Sequence, residues 1–252
     1  MLRPRAIPCL LLQRGRLVKT VRFDKPQYVG DPINAVRIFN DMEVDEIAVL
    51  DIGATAAGTG IPYDLIGEMA SECFMPMMYG GGITSVDEAR AILKLGVEKV
   101  AVNSAAAADP SLLSRIADAF GSQAVVAAID ARKKMFGGYR AFARSGKDAI
   151  MPLADWVKQI EAAGAGEILI TSIDRDGMMD GYDLDLVKLV TASVRLPVIA
   201  CGGAGSLEDM AAVVLQGGAS AAAIGSLAVY QGKNRAVLIN FPTPAQLKAV
   251  IP

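Results

Sequence analysis

Histidine is missing from all 252 residues. Its absence removes Ser-His-Asp and Cys-His nucleophile systems and any zinc held by imidazole, so chemistry falls to carboxylates, Lys, Cys, Tyr or backbone groups. Cysteine is scarce as well: Cys9, Cys73 and Cys201 show no C-x-x-C spacing, which gives no disulfide framework and fits a reducing compartment. No apolar run reaches the ~18 residues of a membrane span and no secretory pattern is present, so a soluble, cytoplasmic chain with no membrane partner is expected. Basic runs stop at two or three residues and the net charge is −2, which leaves no nucleic-acid footprint. Neither a cofactor nor a metal is expected.

What is present is apolar and evenly spread. Hydrophobic residues make up 52% and charged residues 21%, enough for a large core and too apolar for disorder. Strand-like runs occur at 6–12, 46–51, 75–79, 99–102, 124–130, 167–172, 197–201 and 221–224. Helix-period stretches lie between them, at 33–42, 62–73, 86–95, 110–120, 153–163, 185–194 and 207–216. Eight strands alternating with helices in one domain, residues 1–252, predict an α/β fold of the (β/α)8 TIM-barrel type. A doubly wound open sheet is the alternative.

An internal repeat favours the closed barrel. "MPMMYGGGITSVDEARAILKLGVEKVAV" (75–102) resembles "LPVIACGGAGSLEDMAAVVLQGGASAAA" (196–223), and "DEIAVLDI" (45–52) resembles "GEILITSI" (166–173), both at an offset of 121. Two half-barrels would produce this. The same comparison sets "IPCLLL" against "VAAID", which places Leu11 opposite Asp130.

In a closed barrel the C-terminal strand ends and the loops after them form the mouth. Two of those loops are glycine-rich, Gly80-Gly81-Gly82 and Gly202-Gly203-Ala204-Gly205, and each leads to a helix-start signature, Ser85-x-x-Glu88 or Ser206-x-x-Asp209. Gly81, Gly82, Asn103 and Ser104 form one candidate phosphate cradle, and Gly202, Gly203, Gly225 and Ser226 a second. The plainer reading is that these glycines only make tight turns. Asp51, Asp130, Asp174 and Asp176 end or follow strands, and Lys19 lies in the first loop. Isolated carboxylates often serve as caps, but Asp130 ends an apolar strand, where an unpaired charge is costly. At the opposite end Arg5, Glu46, Lys99 and Glu167 begin strands and could close a ring of alternating charge, a pattern that by itself signifies stability.

With these residues in place the chain resembles the HisF family, the cyclase subunits of imidazole glycerol phosphate synthase. The resemblance runs from Leu2 to about Leu227 and is carried by "GRLVK", "GDP", "LDI", "GGGI", "EKVAVN", "FGSQAVVAAID", "DWV", "GAGEILITSIDRDG", "GYD" and "CGGAG". The tail beyond Val229 departs from the usual subunit's helical ending. The resemblance implies ammonia chemistry: a partner glutaminase of HisH type on the N-terminal face, a gate at Arg5, Glu46, Lys99 and Glu167, and a phosphorylated small molecule at the mouth. It assigns that molecule's contacts to Gly81, Gly82, Asn103, Ser104, Asp176, Gly177, Gly202, Gly203, Gly225 and Ser226, with Lys19, Asp51 and Thr171 nearby. It also implies two catalytic carboxylates. Asp130 matches one, and Leu11 stands where the other belongs. Leu10 and Leu12 cannot replace it, and a leucine there should raise the pKa of Asp130. An intact gate below a degraded cyclase is similar to a HisF-like branch that delivers ammonia to an ATP-dependent amidotransferase, converting a sugar N-acetyl group to an acetamidino group in surface-polysaccharide synthesis. A genuine cyclase and a phosphate-binding scaffold are the alternatives.

Overall fold

A computed structural model describes residues 4–251 except 59, 144–147 and 233, with only the backbone at 56 and 57. Leu2, where the family resemblance begins, lies outside them. Eight parallel strands close into a barrel: Arg5–Gln13, Ile47–Asp51, Met77–Gly80, Lys99–Val102, Val125–Lys133, Glu167–Ser172, Val198–Cys201 and Ala221–Ile224. The eighth pairs with the first, so no barrel edge is left open, and the open-sheet alternative fails on this closure.

Register decides what faces inward. Successive side chains on a strand alternate faces, so the odd positions of the first strand, Arg5 to Leu11, share the interior with Asp130 and Thr171. Cys201, Ala223 and Ile7 lie in one hydrogen-bonded row. Strand tilt raises each successive strand by about one residue around the axis, so interior layers contain one residue from every second strand. From floor to mouth these layers run Ile7/Met78/Val126/Ile199, Ala48/Ala101/Leu169/Ala223 and Cys9/Gly80/Ala128/Cys201, with Leu50 and Thr171 and then Leu11 and Asp130 above them at the strand ends. The side chains thus narrow from the isoleucine layer to the layer of Cys9, Gly80, Ala128 and Cys201 and widen again at Leu50 and Leu11.

The three leucines of the first strand separate by face. Leu10 and Leu12 are buried in the outer core beneath the helices, whereas Leu11 packs at the top of the inner one. Burying such a side chain contributes about 1.5–3 kcal/mol, which explains two of the three without reference to function.

The helices start where their sequences say they should. Ser85 accepts from Glu88 N and Glu88 reaches back to Ser85 N, a reciprocal cap for Val86–Lys94. Ser206 caps Leu207–Leu215 by accepting from Asp209 N, and the Asp209 carboxylate accepts from Gly205 N rather than from Ser206. The tail turns through a small hairpin, Tyr230–Gln231 with Ala236–Val237, and ends in the helix Pro244–Val250. The reason is local, a Thr243/Gln246 capping box plus the buried Leu247 and Ile251. Among the described residues, no helix is long and apolar enough to cross a membrane.

Candidate functional site

Leu11 and Asp130 end up across the mouth from one another because the first and fifth strands lie half a barrel apart. Asp130 borders two cavities. One, of about 240 Å³, is lined by Leu11, Lys19, Thr171, Asp176, Gly203 and Ser226 among others. The other, of about 190 Å³, is lined by Asp51, Gly81, Gly82, Asn103 and Ser104. Burial pushes the Asp130 carboxyl up to about 7, with Asp176 adding repulsion and a 3.1 Å hydrogen bond from Asn103 Nδ2 working against the rise. At neutral pH this group can therefore both give and take a proton.

Lys19 does not lie in an open loop. It belongs to a strand, Arg16–Val21, that folds back on the first barrel strand and continues into Asp24–Gly30, so a hairpin stands over the rim. Its ammonium group donates to the Cys9 carbonyl at 2.5 Å, and burial lowers its pKa. Asp176 holds the hairpin down: it accepts from Thr20 Oγ1 at 2.7 Å and from Phe23 N at 3.1 Å. Burial raises the Asp176 pKa despite those bonds and the nearby Lys19. Cys9 and Cys201 lie in one layer, and their mutual interaction lowers the Cys9 pKa and raises that of Cys201.

The glycine loops have a packing reason that holds whatever they bind. A Cβ at Gly81 would come within 2.5 Å of the Asp51 carbonyl, and one at Gly203 within 2.2 Å of the Gly181 carbonyl. Gly202 and Gly225 line the first cavity beside Gly203 and Ser226, so the two expected cradles lie on different sides of Asp130. Gly177 lines the first cavity too. Asp51 serves as a cap, accepting from Gly53 N at 2.9 Å and Ala54 N at 3.0 Å, while facing the second cavity. Asp174 turns away from both, pairing with Arg132 at 3.5 Å and accepting from Lys133 N.

At the floor the expected ring is closed. Lys99 Nζ lies 2.9 Å from Glu46 and 2.9 Å from Glu167, and Arg5 forks to the same two carboxylates. Burial would lower the Arg5 pKa, but Glu167 and Glu46 together hold it above its ordinary value. No side chain in the ring lacks a counter-charge.

Sequence reasoning missed the rim. A second hairpin, Tyr139–Ala143 with Asp148–Pro152, extends from the fifth strand as the first does from strand one. Thr20, Phe23, Pro26 and Met179, which line the larger cavity, were not foreseen. The signal was there in the alternating run between Gly15 and Gly30, with the turn at Arg22-Phe23 in left-handed backbone, φ 54° and 62°. Among the described residues, no group of three or more His, Cys, Asp or Glu side chains could hold a metal ion.

Fold and site together define a (β/α)8 barrel with a charged floor, an apolar interior and a carboxyl-bearing mouth flanked by glycine loops. The chain belongs to the histidine biosynthesis protein family, which it matches over residues 5–235. It is 53% identical over 243 residues to a Pseudomonas aeruginosa protein provisionally named imidazole glycerol phosphate synthase subunit hisF2, covering 96% of this chain and 97% of that one. It is 47% identical over 254 residues, all of both chains, to a Leptospira borgpetersenii protein provisionally named imidazole glycerol phosphate synthase subunit HisF. An Alkaliphilus metalliredigens protein named imidazole glycerol phosphate synthase subunit HisF is 42% identical over 231 residues, 91% of this chain and 92% of that one.

Proposed function

We propose that this protein is the ammonia-receiving barrel of a glutamine-dependent complex, with a glutaminase on its N-terminal face. The closed ring at Arg5, Glu46, Lys99 and Glu167 would be the entrance. The layers above it, first Ile7, Met78, Val126 and Ile199, then three alanines with Leu169, then cysteine, glycine and alanine, are uncharged and suit a small neutral solute better than an ion. Ammonia would emerge beside Asp130, between two glycine cradles suited to a phosphorylated small molecule.

The finer reading is delivery rather than ring closure. One observation carries it: the group facing Asp130 across the mouth is Leu11, which exchanges no proton. Loss of one partner in general acid–base catalysis typically costs about 10²–10⁴-fold. The ammonia would then pass to a separate ATP-dependent amidotransferase acting on a sugar N-acetyl group. A second reading, the cyclase of histidine biosynthesis, is favoured by the names of the relatives and by an Asp130 carboxyl near 7.

One assay separates the two. Purified protein is given saturating ammonium salt and the aminocarboxamide ribotide, and imidazole glycerol phosphate is followed. Delivery predicts no product, and measurable turnover sinks it. A glutaminase partner predicts that Lys99→Met disturbs coupling of glutamine hydrolysis to the barrel, whereas a phosphate-binding scaffold would be indifferent.

A further inference from the structure

Among the described residues two buried side-chain polar atoms lack a hydrogen-bond partner, the Tyr79 hydroxyl in the outer core and Asn103 Oδ1 at the mouth. Asn103 Nδ2 donates to Asp130 Oδ2 at 3.1 Å, but the Oδ1 of the same amide is buried and has no hydrogen-bond partner among the described residues. A buried acceptor without a donor carries its full desolvation penalty, so the site holds an acceptor poised for a donor. Its position is specific. The three layers above the ring present only apolar or thiol side chains, and above them come Asn103, just past the end of the fourth strand, and Thr171, near the end of the sixth. A solute rising from the floor meets its first amide or hydroxyl acceptors there, with the Asp130 carboxyl one layer higher.

The charges facing Asp130 favour a cation. Asp176, from the loop after the sixth strand, adds negative potential. Lys19, on the rim hairpin, is the cation near the first cavity and is drawn to the Cys9 carbonyl at 2.5 Å. Leu11, opposite, offers neither charge nor hydrogen bond.

We propose that Asn103 Oδ1 and the Asp130 carboxylate together form a binding station for the ammonium ion at the top of the barrel. Ammonia arriving neutral takes the Asp130 proton, so an N–H bond forms as the carboxyl O–H bond breaks. The ion is held between the carboxylate and the amide oxygen. The reverse transfer returns the proton to Asp130 and releases neutral ammonia to the acceptor. Nothing is oxidised or reduced, and no co-reactant is needed. The station rests on the reading that ammonia leaves by this mouth, but its existence is measurable on the barrel alone.

The test follows the Asp130 carboxyl by NMR in protein labelled at the aspartate carboxyl carbons, with its resonance assigned through Asp130→Asn. Titrations are run in ammonium chloride and in tetramethylammonium chloride at equal ionic strength, the second ion having no N–H donor. The expected midpoint is about 7 in tetramethylammonium. It should fall by about one unit in saturating ammonium, which corresponds to roughly tenfold tighter ammonium binding by the ionised form. Equal midpoints in the two salts overturn the station. The difference should vanish in Asn103→Ala and in Asn103→Ser, the second keeping a small polar side chain should the first fold poorly; a difference that survives in either removes Asn103 from the site. Glutamine-coupled turnover with a glutaminase is read separately. Intact coupling with equal midpoints would leave the delivery reading standing and the station refuted, and lost coupling with a responsive midpoint would do the reverse.

Discussion

The floor and the mouth of this barrel both bring carboxylates into a dry interior, and they treat them differently. At the floor Glu46 and Glu167 are each bridged to two cations, Arg5 and Lys99, so the charge is met on every side. At the mouth Asp130 has one amide for a partner and a leucine across from it, and its pKa climbs to about 7. Burial alone does not decide whether a carboxylate stays ionised; the groups facing it do. A floor built this way meets every charge with a counter-charge, whereas a mouth built this way can trade protons.

Breaking the floor should have the largest effect. Lys99→Met leaves two buried carboxylates sharing one guanidinium, and removing one partner of a buried ion pair costs about 3–5 kcal/mol. Urea denaturation should register a loss of that size, and a loss below about 1 kcal/mol would mean that solvent reaches the ring. At the mouth the sign reverses. Asp130 has its folded pKa raised from 3.8 to about 7, so the folded state holds the proton more tightly than the unfolded one. Its presence is neutral below about pH 4, increasingly destabilising between about 4 and 7, and constant above. Asp130→Asn should therefore stabilise the protein by up to about 4 kcal/mol at pH 8 and by little at pH 4. That figure is an upper bound, because the carboxyl borders a cavity open to solvent. A pH-independent difference between variant and parent would refute the raised pKa.

Restoring symmetry at the mouth sharpens the comparison further. Leu11→Asp places a second carboxylate opposite Asp130, and ammonia-dependent ring closure on the ribotide should rise by about 10²-fold over the parent's background. Like charges facing each other should also push the Asp130 midpoint higher still, which NMR titration would read. No gain in turnover would locate the defect elsewhere than Leu11. The smallest effect is expected at a helix cap that lines neither cavity. Ser85→Ala removes a side-chain cap from Val86–Lys94 and should cost about 1 kcal/mol in thermal unfolding, with Asp130 unmoved.

Much of this was legible beforehand. The eight barrel strands fall within a few residues of their periodic runs, and the expected ring residues do meet, because strand starts in a closed parallel barrel converge on one end. The pairing of Leu11 with Asp130 also followed from the internal repeat, since equivalent positions of two half-barrels lie across the axis. The rim did not. Lys19 reads as a loop residue until the hairpin folds back along the first strand and buries it. Asp174 and Asp176, two residues apart, read alike, yet one turns out to Arg132 and the other in to Thr20 and Phe23.

By itself the sequence determined the alternation of strands and helices, the two-fold repeat and the substitution of leucine for a carboxylate, because all three are properties of residue order. Only the tertiary structure decided which of three adjacent leucines faces the mouth, since that depends on strand register against neighbours distant in the chain. It also decided that Asn103 Oδ1, beside Asp130, has no partner among the described residues. Hydrogen-bond satisfaction is settled by three-dimensional proximity, and spacing along the chain carries no record of it.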